Sequence, residues 1–252
     1  MNAVYQVDKD IKLPSDFNTK IIWDNTIMKK ILSITLAVAL GISFLTCDAM
    51  AKEKGWHFVK EKKGAKLYTR PVKNSKYPEI RATTQCDASI EALLEVLLDS
   101  SSYTEWLPDC IEASTLELLN KDPLMGQFLL YFVIDSQWPV KNRDFVIKSN
   151  AYFDWDKGIA GVDLTSASTS EYNYPLRKGR YRVDVFKSSF KFERLTRNST
   201  KITYTSYSEA AGKAPVAIVN SVSKGLTFKT VKTLAKFAND PIYQKRAMKD
   251  FF

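Results

Sequence analysis

The chain has 252 residues, of which 45% are hydrophobic and 12% aromatic, so its composition excludes an intrinsically disordered protein. It has a single histidine, which excludes a metal cluster built on several histidines, and it lacks Gly-x-Ser-x-Gly, Cys-x-x-Cys and glycine-rich phosphate-binding motifs. The net charge of +9 suits an anionic partner such as a phospholipid surface, although a charge that only aids solubility is the alternative. The basic residues are too dispersed for a nucleic-acid-binding arm, so we expect no nucleic-acid partner.

Residues 28–51 have the three parts of a signal peptide. Lys29-Lys30 is a positively charged start, residues 31–45 form an apolar run, and Ala49-Met50-Ala51 is a small-x-small cleavage site. The run is shorter than the roughly 20 residues of a transmembrane helix. We therefore expect an exported protein, periplasmic or secreted.

This segment sets the predicted domain boundaries. Residues 1–27 are polar and of mixed charge, and we interpret them as a spurious or disordered extension before a true start at Met28. Residues 28–51 are then the signal peptide, and residues 52–252 form one domain. An uncleaved anchor and a lipoprotein attached through Cys47 are the alternatives.

After residue 52, strands and one helix are predicted first. Short β-forming runs beside turn signals predict strands at 56–59, 65–70 and 80–86. Apolar residues at 90, 93, 94, 97 and 98 have the spacing of a helix. An apolar run predicts a strand at 127–134, and alternation of apolar and polar residues predicts strands at 143–153 and around 181–192. Further strands are predicted at 159–168 and, after a turn signal at Asn198-Ser199, at 202–208.

The last predicted element is a long helix, from about Pro215 to Asn239. One face of it carries the apolar residues Val216, Val219, Val222, Leu226, Leu234 and Phe237. Strands dominate the middle of the chain and this helix ends it. The order predicts the α+β class, with a curved antiparallel sheet wrapped around a C-terminal helix.

Three short blocks are more specific than the periodicity. They are Ser102-Tyr103-Thr104-Glu105-Trp106, the run Trp138-Pro139-Val140-Lys141-Asn142-Arg143-Asp144-Phe145-Val146, and Gly212 with Ala214-Pro215 and Val219-Asn220. Their order and spacing resemble the START (StAR-related lipid transfer) family. That family belongs to the helix-grip superfamily, together with the birch-allergen-like proteins. With its predicted signal peptide, this chain resembles a bacterial-type exported member.

The resemblance implies a helix-grip fold with a tunnel between the sheet and the last helix, which holds one lipid or similar hydrophobic molecule. It also implies binding and transfer without catalysis, so we expect no cofactor, no metal and no catalytic residue. The apolar face of the predicted sheet agrees, because one helix covers it only partly. A core filled by side chains, without a ligand, is the alternative. The predicted lipid-binding residues are Phe128, Leu130, Phe132, Phe145, Ile147, Ser149, Tyr181, Val183, Phe192, Val219, Val222 and Leu226.

One departure from the family bears on the ligand. Sterol-binding members often place an acid and a base in the tunnel, and by offset from Arg143-Asp144 those positions are Leu130 and Ser149 here. This argues against the same polar recognition and favours a ligand with a small or solvent-exposed polar end. The neighbours Arg143 and Asp144 themselves are interpreted as structural, either as an ion pair or as a clamp on the backbone.

Two other functions stay open. One is an enzyme of the same superfamily, such as a polyketide cyclase, with Tyr174, Tyr181 or Tyr204 in the tunnel. The other is a basic module that binds surfaces without cargo. Cys86 and Cys110 are either two buried thiols or, in an oxidising compartment, a disulfide.

A lipid carrier must meet a membrane, and peripheral contact with an anionic bilayer is therefore expected. Lys224, Lys229, Lys232 and Lys236 are predicted on the exposed side of the last helix, beside the tunnel mouth. The turn at 154–158 corresponds to the family's mobile gate loop, so Trp155 is predicted to insert at the membrane interface.

Overall fold

The computed structural model describes residues 55–120, 127–136, 141–167 and 172–250. The predicted signal peptide, the extension at 1–27, Cys47 and the Trp138-Pro139 pair lie outside these ranges. Among the helices within them, none combines the length and the apolar character needed to cross a bilayer.

The described residues form one twisted sheet of ten strands. Nine of them lie in the order β1-β2-β3-β10-β9-β7-β6-β5-β4 with antiparallel neighbours, and β8 pairs in parallel with the start of β6. The strands are β1 (His57–Lys62), β2 (Ala65–Arg70), β3 (Glu79–Cys86), β4 (Cys110–Leu118), β5 (Phe128–Ile134), β6 (Asn142–Asp154), β7 (Ile159–Ser166), β8 (Arg180–Arg182), β9 (Phe186–Thr196) and β10 (Ser199–Ser208).

The helices lie between β3 and β4 and at the end of the chain. They are α1 (Ile90–Leu98), the short α2 (Tyr103–Trp106) after a 3-10 turn, α3 (Val216–Ala238) and α4 (Pro241–Asp250). Ser89 begins α1, because its hydroxyl oxygen accepts the Ala92 N–H at 3.2 Å and so satisfies one free donor of the first turn. The long helix α3 packs on β2, β3 and β10, while α1 packs against α3 and α4. This arrangement confirms the predicted α+β class.

The main core lies between the inner face of the sheet and the helices. Alternate residues of the central strands point inward, such as Phe190 and Phe192 on β9 and Ile202 and Tyr204 on β10, and all four are buried. From α3 the core receives Phe228, which is likewise buried, together with Val231, Leu234 and Ala238.

A second, smaller core covers the outer face of β5 and β6. It contains Leu129, Tyr131, Val133 and Val146, and the segment at 172–183 packs over it through two tyrosines. The carboxylate of Asp144 accepts a hydrogen bond from Arg182 at 2.8 Å, and both side chains are buried. This pair lies on the outer face of the sheet and fastens β8 to the start of β6.

Three elements differ from the sequence prediction. Strand β4 was not predicted because it lies at the edge of the sheet, and most of its residues are at least partly exposed, which weakens the alternation. Helix α4 is short and rich in polar residues, and β8 has only three residues. The pattern of α4 is too short to be recognised, whereas β8 is the start of the strand predicted around 181–192, which ends at Arg182 and continues as β9 from Phe186.

The predicted apolar face of α3 is correct for only part of the helix. In the C-terminal half Leu234 is buried, as predicted. In the N-terminal half Val222 is 53% exposed and Val219 and Leu226 are half-buried, because this half lies over a cavity and not over packed side chains.

Candidate functional site

A cavity of about 120 Å³ lies between the inner face of the sheet and the middle of α3. Its wall is mostly aromatic and aliphatic and comes from five strands and three helices. Phe132 and Phe145 stack at 4.6 Å on neighbouring strands, and Phe186 meets Phe145 edge-on at 5.3 Å. We call this space the inner cavity. Such a wall favours an apolar occupant.

A second cavity of about 380 Å³ lies beside it, under the N-terminal half of α3. Its floor is apolar, and its rim carries the exposed side chains of Ile218, Val222 and several charged residues. Five residues line both spaces, namely Ile134, Phe145, Ser208, Ser223 and Leu226. The two spaces therefore adjoin, and we call the second one the outer cavity. Its volume is within the range of about 300–1,000 Å³ that is usual for ligand pockets.

Seven of the twelve predicted site residues line this double cavity. Phe132 and Ile147 line the inner cavity, Phe145 and Leu226 line both, and Val183, Val219 and Val222 line the outer cavity.

The other five predicted residues lie elsewhere in the same region. Phe128, Leu130, Ser149 and Phe192 are buried in the sheet and line neither cavity. The Ser149 hydroxyl lies 3.3 Å from both the N–H and the carbonyl oxygen of Phe128. Tyr181 lies beside the outer cavity, paired with Arg143 across β8 and β6, and is 36% exposed.

Several cavity-lining residues were not predicted. Leu97, Tyr103 and Trp106 come from the α1–α2 segment, which closes one end of the inner cavity. A polar strip also runs along the wall, formed by Tyr204, Ser206 and Ser208 on β10 and by Ser223, Thr227 and Thr230 on α3, and of these six residues only Tyr204 was predicted in the tunnel. Ser223, Thr227 and Thr230 are four and three residues apart, so they lie on one face of the helix, and this spacing could have been read from the sequence.

The hydroxyls in the wall are neutral at physiological pH. Burial raises the pKa of Tyr204 to about 12, and burial also raises the pKa of Tyr103. The Tyr103 hydroxyl donates to the carbonyl oxygen of Leu97 at 2.6 Å. Tyr204 stacks on Phe190 at 4.2 Å. These tyrosines are therefore phenols that donate hydrogen bonds, and they are not anionic bases.

Arg143 and Asp144 point to opposite faces of β6, so they do not form the predicted ion pair with each other. Asp144 pairs with Arg182 on the outer face, whereas Arg143 lines the outer cavity. The Arg143 guanidinium donates to the carbonyl oxygens of Lys141 at 2.7 Å and Ala211 at 3.2 Å. Of the two predicted structural roles, an ion pair and a clamp on the backbone, these contacts support the clamp.

The loop at 209–215 forms one side of the outer cavity, and Gly212 explains its close approach to β8. The φ of Gly212 is +80°, and a Cβ there would lie 2.7 Å from a ring carbon of Tyr181. A larger residue would therefore push the loop away from β8.

The position predicted for Trp155 is wrong. Trp155 lies in the turn after β6, whereas Arg143 and the outer cavity lie at the start of that 13-residue strand. At about 3.3 Å per residue, the two ends of the strand are roughly 40 Å apart along its path. Trp155 is 45% exposed and stacks on Phe153 at 5.3 Å, so it does not border the cavity mouth.

An antiparallel sheet that packs on a long C-terminal helix around a double cavity defines an α+β protein with a START-like fold. Residues 45–241 match the START domain, so this chain belongs to the START family. This is a lipid-binding and lipid-transfer family whose members are mostly not enzymes.

The chain is also similar to three known proteins. An uncharacterised protein of Pseudomonas aeruginosa is 26% identical over 211 residues, which cover 84% of this chain and 98% of that protein. Human mitochondrial StAR-related lipid transfer protein 7 is 29% identical over 142 residues, which cover 56% of this chain but only 37% of that protein. The crystal structure of human STARD10 has the same fold, with a TM-score of 0.67, 22% identity and coverage of 83% of each chain.

Proposed function

We propose that this protein binds one lipid, or a similar hydrophobic molecule, and carries it between membranes. The observation that carries the proposal is the apolar double cavity between the sheet and α3, in which seven predicted residues meet. The name of the human relative, which describes a lipid transfer protein, favours the same function. A cavity lined by stacked aromatic rings offers an acyl chain the transfer free energy of about 0.8 kcal/mol per buried methylene.

The cyclase alternative rests on a tyrosine in the cavity, and of the three candidates only Tyr204 lines it. Because the pKa of Tyr204 is raised to about 12, its hydroxyl does not act as a general base at neutral pH. A hydrogen bond from Tyr204 to a ligand oxygen agrees better with binding than with proton abstraction.

We further propose that cargo is exchanged at an anionic bilayer that contacts α3 along the rim of the outer cavity. Lys229 lines the outer cavity, lies 3.8 Å from Asp109 and is 61% exposed. Exposed Ile218 and Val222 lie on the same rim. Lysines near an anionic bilayer contribute about 1 kcal/mol each, and the apolar rim adds burial at the interface.

Export through the segment at 28–51 completes the proposal. It rests on the charged start, the apolar run and the Ala49-Met50-Ala51 site. N-terminal sequencing of protein from the periplasm or medium is expected to find Lys52 first. An intact Met1 or Met28 on soluble cytoplasmic protein would contradict export and leave the cavity proposal standing.

Cargo is tested first on protein purified from its native host, by mass spectrometry of the extracted lipid. One hydrophobic molecule per chain is expected. The lipid-carrier function would be refuted by two results together. The purified protein would contain no lipid, and it would fail to take up a labelled phospholipid or diacylglycerol from vesicles.

Transfer is then measured between vesicles with and without anionic lipid, at low and high salt. The Lys229→Glu/Lys232→Glu variant is expected to slow transfer to anionic vesicles, and salt should have the same effect. Lys157→Glu is the matched control, because Lys157 is 73% exposed in the turn at the far end of β6. Trp155→Ala, in that same turn, is expected to leave transfer unchanged. Equal, salt-independent rates for all vesicles would exclude electrostatic docking.

A further inference from the structure

The C-terminal helix α4 packs on α1, and all but its first residue lies beyond the residues that match the START domain, which end at 241. The helix is fixed at its start, because the Asp240 carboxylate accepts the Ile242 N–H at 2.9 Å. On its inner face Tyr243 is 5% exposed and belongs to the main core. Helix α4 is therefore held both at its start and along its inner face.

Two side chains of α4 converge on one carboxylate, that of Asp99. The Tyr243 hydroxyl donates to its Oδ2 atom at 3.3 Å, and the Arg246 guanidinium donates to the same atom at 3.0 Å. The Ser101 hydroxyl donates to the other oxygen, Oδ1. Burial raises the pKa of Asp99, but these hydrogen bonds outweigh this effect and leave its pKa below the ordinary value, so Asp99 is an anion at neutral pH. The contact therefore consists of charge-assisted hydrogen bonds, which are stronger than neutral ones.

Asp99 lies at the corner between α1 and the segment that closes one end of the inner cavity. Its carbonyl oxygen accepts the N–H of Ser102 at 3.1 Å and the hydroxyl of the same residue at 2.8 Å. Before this corner Leu97 lines the inner cavity, and after it Tyr103 and Trp106 do so. The hydrogen bond from the Tyr103 hydroxyl to the Leu97 carbonyl oxygen connects the two sides. A shift of Asp99 would therefore move the closed end of the cavity.

We propose that α4 is a brace that fixes the closed end of the inner cavity and so limits the length of the apolar chain that the protein accepts. Tyr243 and Arg246 hold Asp99, and Asp99 holds the wall that α1 and α2 form. This inference rests on the proposed lipid-carrier function. It adds a determinant of chain-length specificity, which lies outside the cavity and beyond the matched domain.

The limit on length follows from the free energy of burying methylene groups. Each methylene that enters an apolar cavity raises affinity by about fourfold. Once a chain reaches the wall, further methylenes stay outside and add nothing unless the wall recedes. The side chains of this wall, Leu97, Tyr103 and Trp106, are buried and closely packed. Release of the corner at Asp99 would let them recede, and the limit would move to longer chains.

The test uses phospholipids that carry a fluorophore on the head group and share one acyl chain, while the other chain is lengthened in steps of two carbons. For the wild-type protein, affinity should rise by about 15-fold per step and then stop rising at a limiting length. Asp99→Ala and the double variant Tyr243→Phe/Arg246→Gln should each move this limit by at least one step. Because the three side chains share one contact, the triple variant should show no larger shift than Asp99→Ala.

Hydrogen exchange gives a second readout. In both variants the amides of residues 99–106 should exchange about tenfold faster, because a hydrogen bond to a charged group contributes at least about that factor. Exchange in β10 should stay unchanged, whereas a role of α4 in overall stability alone would accelerate exchange in both regions. Tyr243→Phe alone removes a single hydroxyl and keeps the buried ring, so it should fold in any case and shift the limit in the same direction.

Arg70→Gln is the matched control. Arg70 pairs with Glu79 across β2 and β3, and the two side chains are 39% and 22% exposed, close to the 44% and 21% of Arg246 and Asp99. Neither Arg70 nor Glu79 lines a cavity. This variant should therefore keep the wild-type chain-length limit and the wild-type exchange of residues 99–106.

The outcomes separate this inference from the function on which it rests. If the wild-type protein shows a limiting length and the variants keep it, the brace is refuted and the carrier function stands. The brace is refuted in the same way if wild-type affinity rises along the whole series without a limit. If the wild-type protein binds no member of the series, the brace fails as well, and the lipid that co-purifies with the protein then decides the proposed function.

Discussion

Filling the inner cavity should block lipid binding at a small cost in stability, and Ile147→Trp is the substitution that does so. Ile147 is 1% exposed on β6, and its side chain lines the inner cavity. Overpacking a core usually costs about 1–3 kcal/mol, and the existing space lowers that cost. Since domains of this size are stable by about 5–15 kcal/mol, the variant should fold.

The loss of affinity follows from the volume. The inner cavity of about 120 Å³ has room for about four groups of methylene size, at about 30 Å³ for each water-sized group. Excluding all four methylenes at about 0.8 kcal/mol each would remove about 3 kcal/mol of binding free energy, or about 200-fold in Kd, and this is an upper limit because the indole adds less volume than the cavity holds. Urea unfolding and titration with a labelled lipid measure the two quantities on the same preparation.

Leu130→Trp is the matched control. Leu130 pairs with Ile147 across β5 and β6 and is also 1% exposed, but it lines neither cavity. Because no cavity adjoins residue 130, the indole of Leu130→Trp must displace packed side chains, and this variant should lose more stability than Ile147→Trp. The folded fraction of Leu130→Trp should bind the labelled lipid more tightly than folded Ile147→Trp does. A folded Ile147→Trp protein with wild-type affinity would refute the assigned cavity, and equal destabilisation by the two substitutions would show that the inner cavity does not admit an indole.

Three further predictions concern the fold. Asp144→Asn should cost about 3–5 kcal/mol in urea unfolding, because it leaves the buried Arg182 without its carboxylate. Cys86 and Cys110 are free and buried, and burial raises the pKa of each to about 11, so both thiols should react with a thiol reagent only after unfolding. Burial raises the pKa of Glu193, but hydrogen bonds and charges from two lysines outweigh this effect, so the pKa of Glu193 in the folded protein is lowered. The stability that Glu193 contributes is therefore present above its unfolded pKa and is lost as the pH falls through its folded pKa.

Each of these has its own control or contrary result. Glu112→Gln removes a carboxylate that pairs with Arg177 and Arg180 of the same outer segment but is more exposed, so it should cost about 1 kcal/mol or less. Rapid reaction of either cysteine in folded protein would contradict the burial argument. For Glu193→Gln, the loss of stability relative to wild type should be larger at pH 6 than at pH 3, and a pH-independent loss would show that the lysine contacts do not act through charge.

The sequence predicted the fold wherever a periodic pattern is long and both faces of the element differ in polarity. Helix α1 begins at Ile90 and ends at Leu98, as its apolar spacing predicts. Strand β6 also agrees closely, because Phe145 and Ile147 face the core while Lys148 and Asn150 do not. The edge strand β4 could not be predicted in the same way, since most of its residues are at least partly exposed.

The site was predicted less completely, because a cavity is a property of packing and not of pattern. Inward-facing residues such as Leu130 and Ile147 have the same periodicity and burial, yet only Ile147 meets empty space. The distinction depends on where α3 lies across the sheet. Along α3, Val222 and Leu234 belong to one predicted apolar face, but the first lines an open cavity and the second lies in the core.

Contacts on both faces of β6 hold the walls of the outer cavity, so the smaller core on the outer face also supports the site. Arg182 pairs with Asp144 on the outer face, and the next residue, Val183, donates its N–H to the Asp144 carbonyl oxygen at 3.0 Å and lines the outer cavity. The buried ion pair thus holds the backbone that forms one wall. Arg143, on the opposite face of the same strand, ties the other wall through Ala211. Neighbouring residues of opposite charge therefore fix two sides of one entrance, although they make no ion pair with each other.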